Sequence, residues 1–70
     1  MISMNLREAI VKRVQDRDES ELLEIINDSM HGDERALPGL GVLFEIIWDR
    51  LDPSVKSQLV SELKHGLSAN

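Results

Sequence analysis

The 70-residue chain has no cysteine, no tyrosine, one phenylalanine and one tryptophan. Without cysteine, neither a disulfide nor a thiolate-bound metal can stabilise a domain small enough to need such support. The longest nearly apolar stretch, residues 40–48, is interrupted by Gly41 and Glu45 and is far shorter than the roughly 20 residues of a membrane-spanning helix. The N-terminus lacks a basic segment followed by an apolar one, so we expect no secretory signal, no membrane partner and a cytoplasmic location.

Acidic residues outnumber basic ones by 13 to 8, which gives the chain a net charge of −5. Residues 1–17 carry four basic and two acidic side chains, whereas residues 18–34 carry seven acids and no base. An acidic domain repels the phosphate backbone as a whole, and no aromatic residue lies among the basic ones to stack on bases. We therefore expect at most weak, non-specific nucleic-acid contact through the basic cluster of the first helix. That cluster consists of Arg7, Lys12, Arg13 and Arg17.

Apolar side chains recur at helical spacing in four segments, and no segment alternates with the period of two that a strand requires. The spacing predicts helices over about residues 6–14, 19–31, 40–51 and 53–65. These segments indicate an all-α fold, a compact bundle of four short helices connected by short links. The length allows one domain spanning residues 1–70, and we expect residues 1–4 and 68–70 to fray.

Local signals mark where the helices begin. Asn5 is expected to cap the first helix. Asp18 is expected to cap the second, with Glu21 in the capping-box position three residues later. Asp52 followed by Pro53 is the clearest start signal, because proline at the first helical position loses no hydrogen bond.

Glycine and proline are expected to punctuate the other ends. Gly32 and Gly66 are predicted to take the left-handed conformation that ends the second and fourth helices. Pro38 and the glycine after it favour a loop over residues 33–39. On the fourth helix, the inner face is predicted to consist of Val55, Leu59, Val60 and Leu63, with Leu67 folding back onto the last turn.

The third helix is apolar on more than one side, so we expect it at the centre of the fold. Phe44 and Trp48 are one helical turn apart, and aromatic side chains commonly anchor interfaces. Leu40, Phe44 and Trp48 are therefore the candidate protein interface, and a homodimer is one hypothesis because a small core gains from association. The competing interpretation is that all three side chains belong to the core.

Patterns that carry chemistry are not found. His31 and His65 are expected at helix ends, where a partial positive charge interacts favourably with the helix dipole. Residues 28–34 do not match a calcium loop, and residues 38–41 lack the Lys-Ser/Thr of a phosphate loop. The predicted third helix is not basic, so it is no DNA-recognition helix. We expect a protein that is not an enzyme and has no metal, cofactor or small-molecule substrate.

The segment LPGLGVLFEIIW, residues 37–48, resembles the hallmark stretch of the small acid-soluble spore protein I family. Asn5-Leu6-Arg7 with Ala9, Glu21-Leu22 and the closing segment 63–67 are similar as well, so the likeness covers about residues 4–67. It implies a protein made in the forespore of an endospore-forming bacterium and held in the spore core, without an active site. The chain lacks the protease-cleavage motif and the basic, glycine-rich helices of the DNA-coating alpha/beta-type spore proteins, so DNA coating is not implied.

The resulting hypothesis is a sporulation-specific, non-catalytic protein with a structural or protein-interaction role. Its partner would be a second copy of the chain or another spore protein, bound through the third helix. The alternative is weak nucleic-acid binding through the first helix.

Overall fold

The computed structural model describes residues 2–68, with side chains from residue 6 onward. The chain is 84% helical, with four helices and, within these residues, no strand, which confirms the all-α prediction. A 3-10 turn at Glu34–Ala36 leads directly into the third helix. The helices are α1 (Ile2–Val14), α2 (Glu19–Ser29), α3 (Leu37–Arg50) and α4 (Pro53–Ser68).

The two acidic caps predicted from the sequence are confirmed. The Asp18 carboxylate accepts a hydrogen bond from the Glu21 backbone N–H at 2.9 Å, and the Glu21 carboxylate accepts one from the Asp18 N–H at 3.1 Å. The Asp52 carboxylate accepts from the Val55 N–H at 3.0 Å, and Pro53 is the first residue of α4. These bonds satisfy N–H groups that a helix start leaves unpaired.

Both outer ends of the helical array extend beyond the predicted limits. Because α1 begins at Ile2, Asn5 lies inside the helix and the prediction that it caps α1 was wrong. No proline or glycine precedes residue 5 to stop the helix, and a cap signal alone is too weak to define a start. Residues 2–4 and Ser68, expected to fray, are helical, while Met1, Ala69 and Asn70 lie outside the described residues.

The glycines predicted to end helices do not do so. The residue with left-handed backbone after α2 is His31, with φ 61°, and no described glycine has a positive φ. Since α2 already ends at Ser29 and Met30 is extended, the turn position that needs a positive φ falls on His31 and not on Gly32. Histidine is among the residues that tolerate this region better than most. Gly66 is helical, because α4 continues to Ser68.

The predicted loop 33–39 is shorter than expected. The Asp33 carboxylate caps the 3-10 turn by accepting from the Arg35 N–H at 2.8 Å. Leu37 is helical, with φ −61° and ψ −42°, although it precedes Pro38. Pro38 lies in the first turn of α3, where its missing N–H leaves no intrahelical bond unmade. Pro38 therefore marks the start of α3, and the prediction that it keeps this segment in a loop was wrong.

Helix α3 occupies the centre, as predicted, and contacts α1, α2 and the 3-10 turn. Gly39 lies where α1 crosses: a Cβ built on Gly39 would lie 4.0 Å from Ile10 Cδ1. Among the described side chains, Val42 alone is buried, with 7% of its surface exposed. The radius of gyration is 13.6 Å, against about 11 Å for an ordinary domain of this length, so the bundle is somewhat extended.

Candidate interaction surface

One charged pair fixes α1 against α3. The Arg7 guanidinium donates two hydrogen bonds to the Glu45 carboxylate, from Nε to Oε1 at 2.9 Å and from Nη2 to Oε2 at 2.8 Å. This two-point geometry orients both side chains, although about half of each remains exposed. The hydrogen bond from Arg7 lowers the pKa of the Glu45 carboxyl, and the same contact raises the pKa of Arg7.

The basic cluster predicted on the first helix is divided by this pair. Arg7 is bound to Glu45. Lys12 lines the same surface depression of α1 as Arg7, whereas Arg13 lines a different one, between α1, α2 and α3. Arg17 lies beyond the end of α1, where its N–H donates to the Val14 carbonyl at 3.1 Å. The four side chains therefore do not form a single positive stripe.

The three residues predicted as a protein interface lie on one side of α3 but differ in exposure. Leu40 and Trp48 are half-buried, whereas Phe44 is 51% exposed. The rings of Phe44 and Trp48 are 5.3 Å apart between centroids and inclined by 35°. The Lys56 ammonium of α4 lies 5.4 Å from the centroid of the Trp48 ring, within cation–π range.

An apolar groove runs between α2 and α3 beside Phe44, and we call it the α2–α3 groove. Met30 at one wall is 47% exposed, and Ile47 at the other is 42% exposed. The groove thus presents apolar surface that no part of the described chain covers. Its lining consists of Ile26, Met30, Leu40, Leu43, Phe44 and Ile47.

Helix α4 presents a second apolar surface, contrary to the predicted inner face. Val55 and Leu59 are half-buried, but Val60, Leu63 and Leu67 are 52%, 61% and 65% exposed. Spacings of three and four residues put these last three on one side of the helix, which we call the α4 stripe. The prediction that Val60 and Leu63 pack inward and that Leu67 folds back was wrong, because α4 continues past Gly66 to Ser68 and these side chains stay exposed.

The residues considered for chemistry are found apart from one another. His31 lies in the turn after α2 and His65 near the end of α4, and both are exposed. Residues 38–41 are helical and thus form no phosphate-binding loop. Among residues 2–68 no group of histidine or acidic side chains is arranged to hold a metal ion. Within the same range, no helix is long and apolar enough to cross a membrane.

Sequence reasoning missed the structural role of Arg7 and Glu45. The two residues are 38 positions apart, and each looks like an ordinary solvated charge on its own helix. The available signal was a position: each residue borders the apolar face by which its helix packs. That signal indicates proximity to a packing surface but does not identify the partner.

Comparison with known proteins places the chain among spore proteins. The family model described as "Small, acid-soluble spore protein I" matches residues 4–67. A protein of that name from Shouchella clausii is 44% identical over 68 residues, covering 96% of this chain and 99% of the relative. A relative of the same name from Bacillus licheniformis is 41% identical, covering 97% of this chain and 99% of the relative. Another from Bacillus mycoides is 42% identical, covering 94% of this chain and 97% of the relative. No solved structure matches.

Proposed function

The chain belongs to the small acid-soluble spore protein I family, which is associated with sporulation, and on this premise we propose that it acts in the spore core as a non-catalytic structural or protein-interaction protein. It is made in the forespore and remains in the cytoplasmic compartment that becomes the core. No residue is assigned a catalytic role, and the apolar side of α3 is the working surface.

The exposure of Phe44 is the observation that carries this proposal. Phe44 is one of two aromatic residues in the chain, yet half of its surface faces solvent beside Met30 and Ile47. A buried aromatic side chain removes about 150–250 Å² from water, more than most other residues can, so exposing one is costly unless a partner covers it. Leu40 and Trp48 adjoin it and complete an anchor of the kind found at interface centres.

Photo-crosslinking in sporulating cells tests the proposed surface. A photoreactive amino acid at position 44 is expected to give covalent protein adducts, seen as bands of higher mass with an antibody to this chain. Position 11 is the matched control, because Val11 is 37% exposed on α1, away from Phe44. If position 44 gives no adduct that position 11 lacks, α3 is not the working surface.

Weak non-specific nucleic-acid binding through Arg7, Lys12, Arg13 and Arg17 is the alternative. It has less support, because Arg7 is engaged by Glu45, and Lys12 and Arg13 line different surface depressions. It also faces the repulsion that the acidic α2 exerts on a phosphate backbone.

A separate spore-localisation test uses a fluorescent fusion, which should concentrate in the forespore and remain in the core.

A further inference from the structure

The accessible surface of the single chain is larger than that of a typical compact monomer of the same mass. The chain exposes 6233 Å² of accessible surface, against about 4,400 Å² for a folded monomer of this mass. The excess of about 1,800 Å² compares with about 800 Å² that each partner contributes to a standard protein interface. The amount of surface left uncovered is thus sufficient for an obligate interface.

Two of the uncovered apolar surfaces have complementary shapes, while other exposed apolar side chains, such as Leu23 at 59%, lie outside both. One is the α4 stripe, a convex ridge formed by Val60, Leu63 and Leu67 on the outer half of α4. The other is the α2–α3 groove, a concave apolar channel between two helices, with Met30 and Phe44 on its walls. An amphipathic helix seated in an apolar groove is a common mode of protein recognition.

Charge favours the same pairing. Helix α2, which forms one wall of the groove, carries three glutamates and one aspartate but no basic residue. Helix α4 carries Lys56 and Lys64 against one acid, Glu62. Lys64 borders the α4 stripe, being four residues after Val60 and three before Leu67. Lys56 lies over Trp48 of its own chain, so it is Lys64 that would lie beside the strongly negative α2 of the other copy.

We propose that two copies of this chain form a symmetric dimer in which the α4 stripe of each copy fills the α2–α3 groove of the other. This inference rests on the proposed function and specifies its partner as a second copy of the chain. The exchange is self-complementary, since each copy contributes one ridge and one groove, so a two-fold axis closes the dimer and leaves neither surface free. The same arrangement covers Phe44, whose exposure in the single chain is otherwise unexplained.

Single-cysteine crosslinking tests the geometry, and the chain is suited to it because it contains no native cysteine. Met30→Cys marks the groove and Leu67→Cys marks the stripe. An equimolar, re-equilibrated mixture of the two variants should form a disulfide-linked dimer under mild oxidation, well above the yield of either variant alone. Val11→Cys mixed with Leu67→Cys is the matched control and should give only the background yield.

Two crosslinking outcomes would overturn the proposal. Efficient crosslinking by Leu67→Cys alone would mean that α4 packs on α4. Equal background yields in every mixture, with wild-type protein dimeric by sedimentation, would mean that the dimer uses another surface.

Cysteine-free variants provide an independent measurement by sedimentation equilibrium. Leu63→Gln and Leu67→Gln each keep a good helix former and should weaken dimerisation about tenfold or more, whereas Val11→Gln should leave it unchanged. Lys64→Glu should weaken it as well, with a smaller effect at high salt. A wild-type protein that stays monomeric at about 1 mM would refute self-association.

The outcomes separate this inference from the proposed function. If position 44 crosslinks in the spore to other proteins while the isolated chain is monomeric, the interaction role stands and the exchanged dimer is wrong. If position 44 gives only an adduct of twice the chain mass, the partner is a second copy, and the mixture of Met30→Cys with Leu67→Cys decides whether the two copies exchange α4.

Discussion

Replacing Gly39 by alanine should stabilise the protein, and this expectation depends directly on where α3 begins. The sequence pattern around Pro38 favours a loop reaching residue 39, whereas the structure has helix from Leu37 onward. In a loop that needs a positive φ, alanine in place of glycine is unfavourable. In a helix, the same change removes the entropy that glycine loses on folding.

The magnitude follows from the surroundings of the two glycines in α3. Neither has a positive φ, so alanine introduces no backbone strain. A Cβ at Gly41 would meet nothing within 4 Å, and one at Gly39 would make an ordinary contact with Ile10 Cδ1 at 4.0 Å. Each change to alanine should therefore raise the free energy of unfolding by about 0.5–1 kcal/mol, the difference in helix propensity between the two residues.

Urea or thermal unfolding followed by circular dichroism measures this effect. A gain of about 1 kcal/mol raises the midpoint temperature by roughly 4–8 °C in a domain of this size. The comparison is made at one protein concentration, because association also shifts the midpoint. Gly41 is helical whether α3 begins at residue 37 or at residue 40, so Gly41→Ala is the matched control and should raise the midpoint in either case. A lower midpoint for Gly39→Ala alone would refute a helical Gly39 with Ile10 at an ordinary contact distance.

Three further predictions follow from particular backbone and side-chain features. His31→Gly should raise the free energy of unfolding by about 0.5–1 kcal/mol, since glycine adopts the positive φ of this position without strain; unfolding midpoints equal to wild type would contradict this. Hydrogen bonds from Glu21 and from Val55 lower the pKa values of Asp18 and Asp52, so their stabilisation is complete above the unfolded pKa and lost as pH falls through the lower folded values. The thermal midpoint should therefore decrease as the pH is lowered below about 4. The decrease should be less steep in a variant with Asp18→Asn and Asp52→Asn, which keeps both caps. A short DNA duplex at low salt should cause no chemical-shift changes at Lys12 or Arg13 in the labelled protein; salt-sensitive changes there would favour the nucleic-acid alternative.

The parts of the fold that sequence reasoning predicted correctly are those decided within one turn of helix. Asp18 and Asp52 cap as expected, because a cap involves a side chain and a backbone N–H only three residues away. The helical periodicity of α3 likewise required no knowledge of the other helices. Pro38 was misjudged because proline both interrupts helices and begins them, and the local sequence does not distinguish the two cases.

The parts that sequence reasoning missed depend on distant residues. Whether Arg7 is a free charge or one half of a pair with Glu45 is decided by how α1 crosses α3, which neither helix specifies alone. The predicted burial of Leu63 failed for the same reason. An apolar stripe states that a helix needs a partner, but it does not say whether that partner belongs to the same chain. The pattern on α4 is equally compatible with packing in one chain and with packing between two.

The distribution of burial explains why folding and association should be coupled in this protein. Helix α3 is covered by α1 around Val42 and by α2 around Leu43, while α4 covers little of it beyond Trp48. A chain in which a single described side chain is buried has little apolar burial to offset the conformational entropy of ordering its helices. In the proposed dimer, the remaining burial comes from Phe44 and the α4 stripe, which pack against the second copy. By mass action, the stability of each copy in that dimer would rise with the protein concentration.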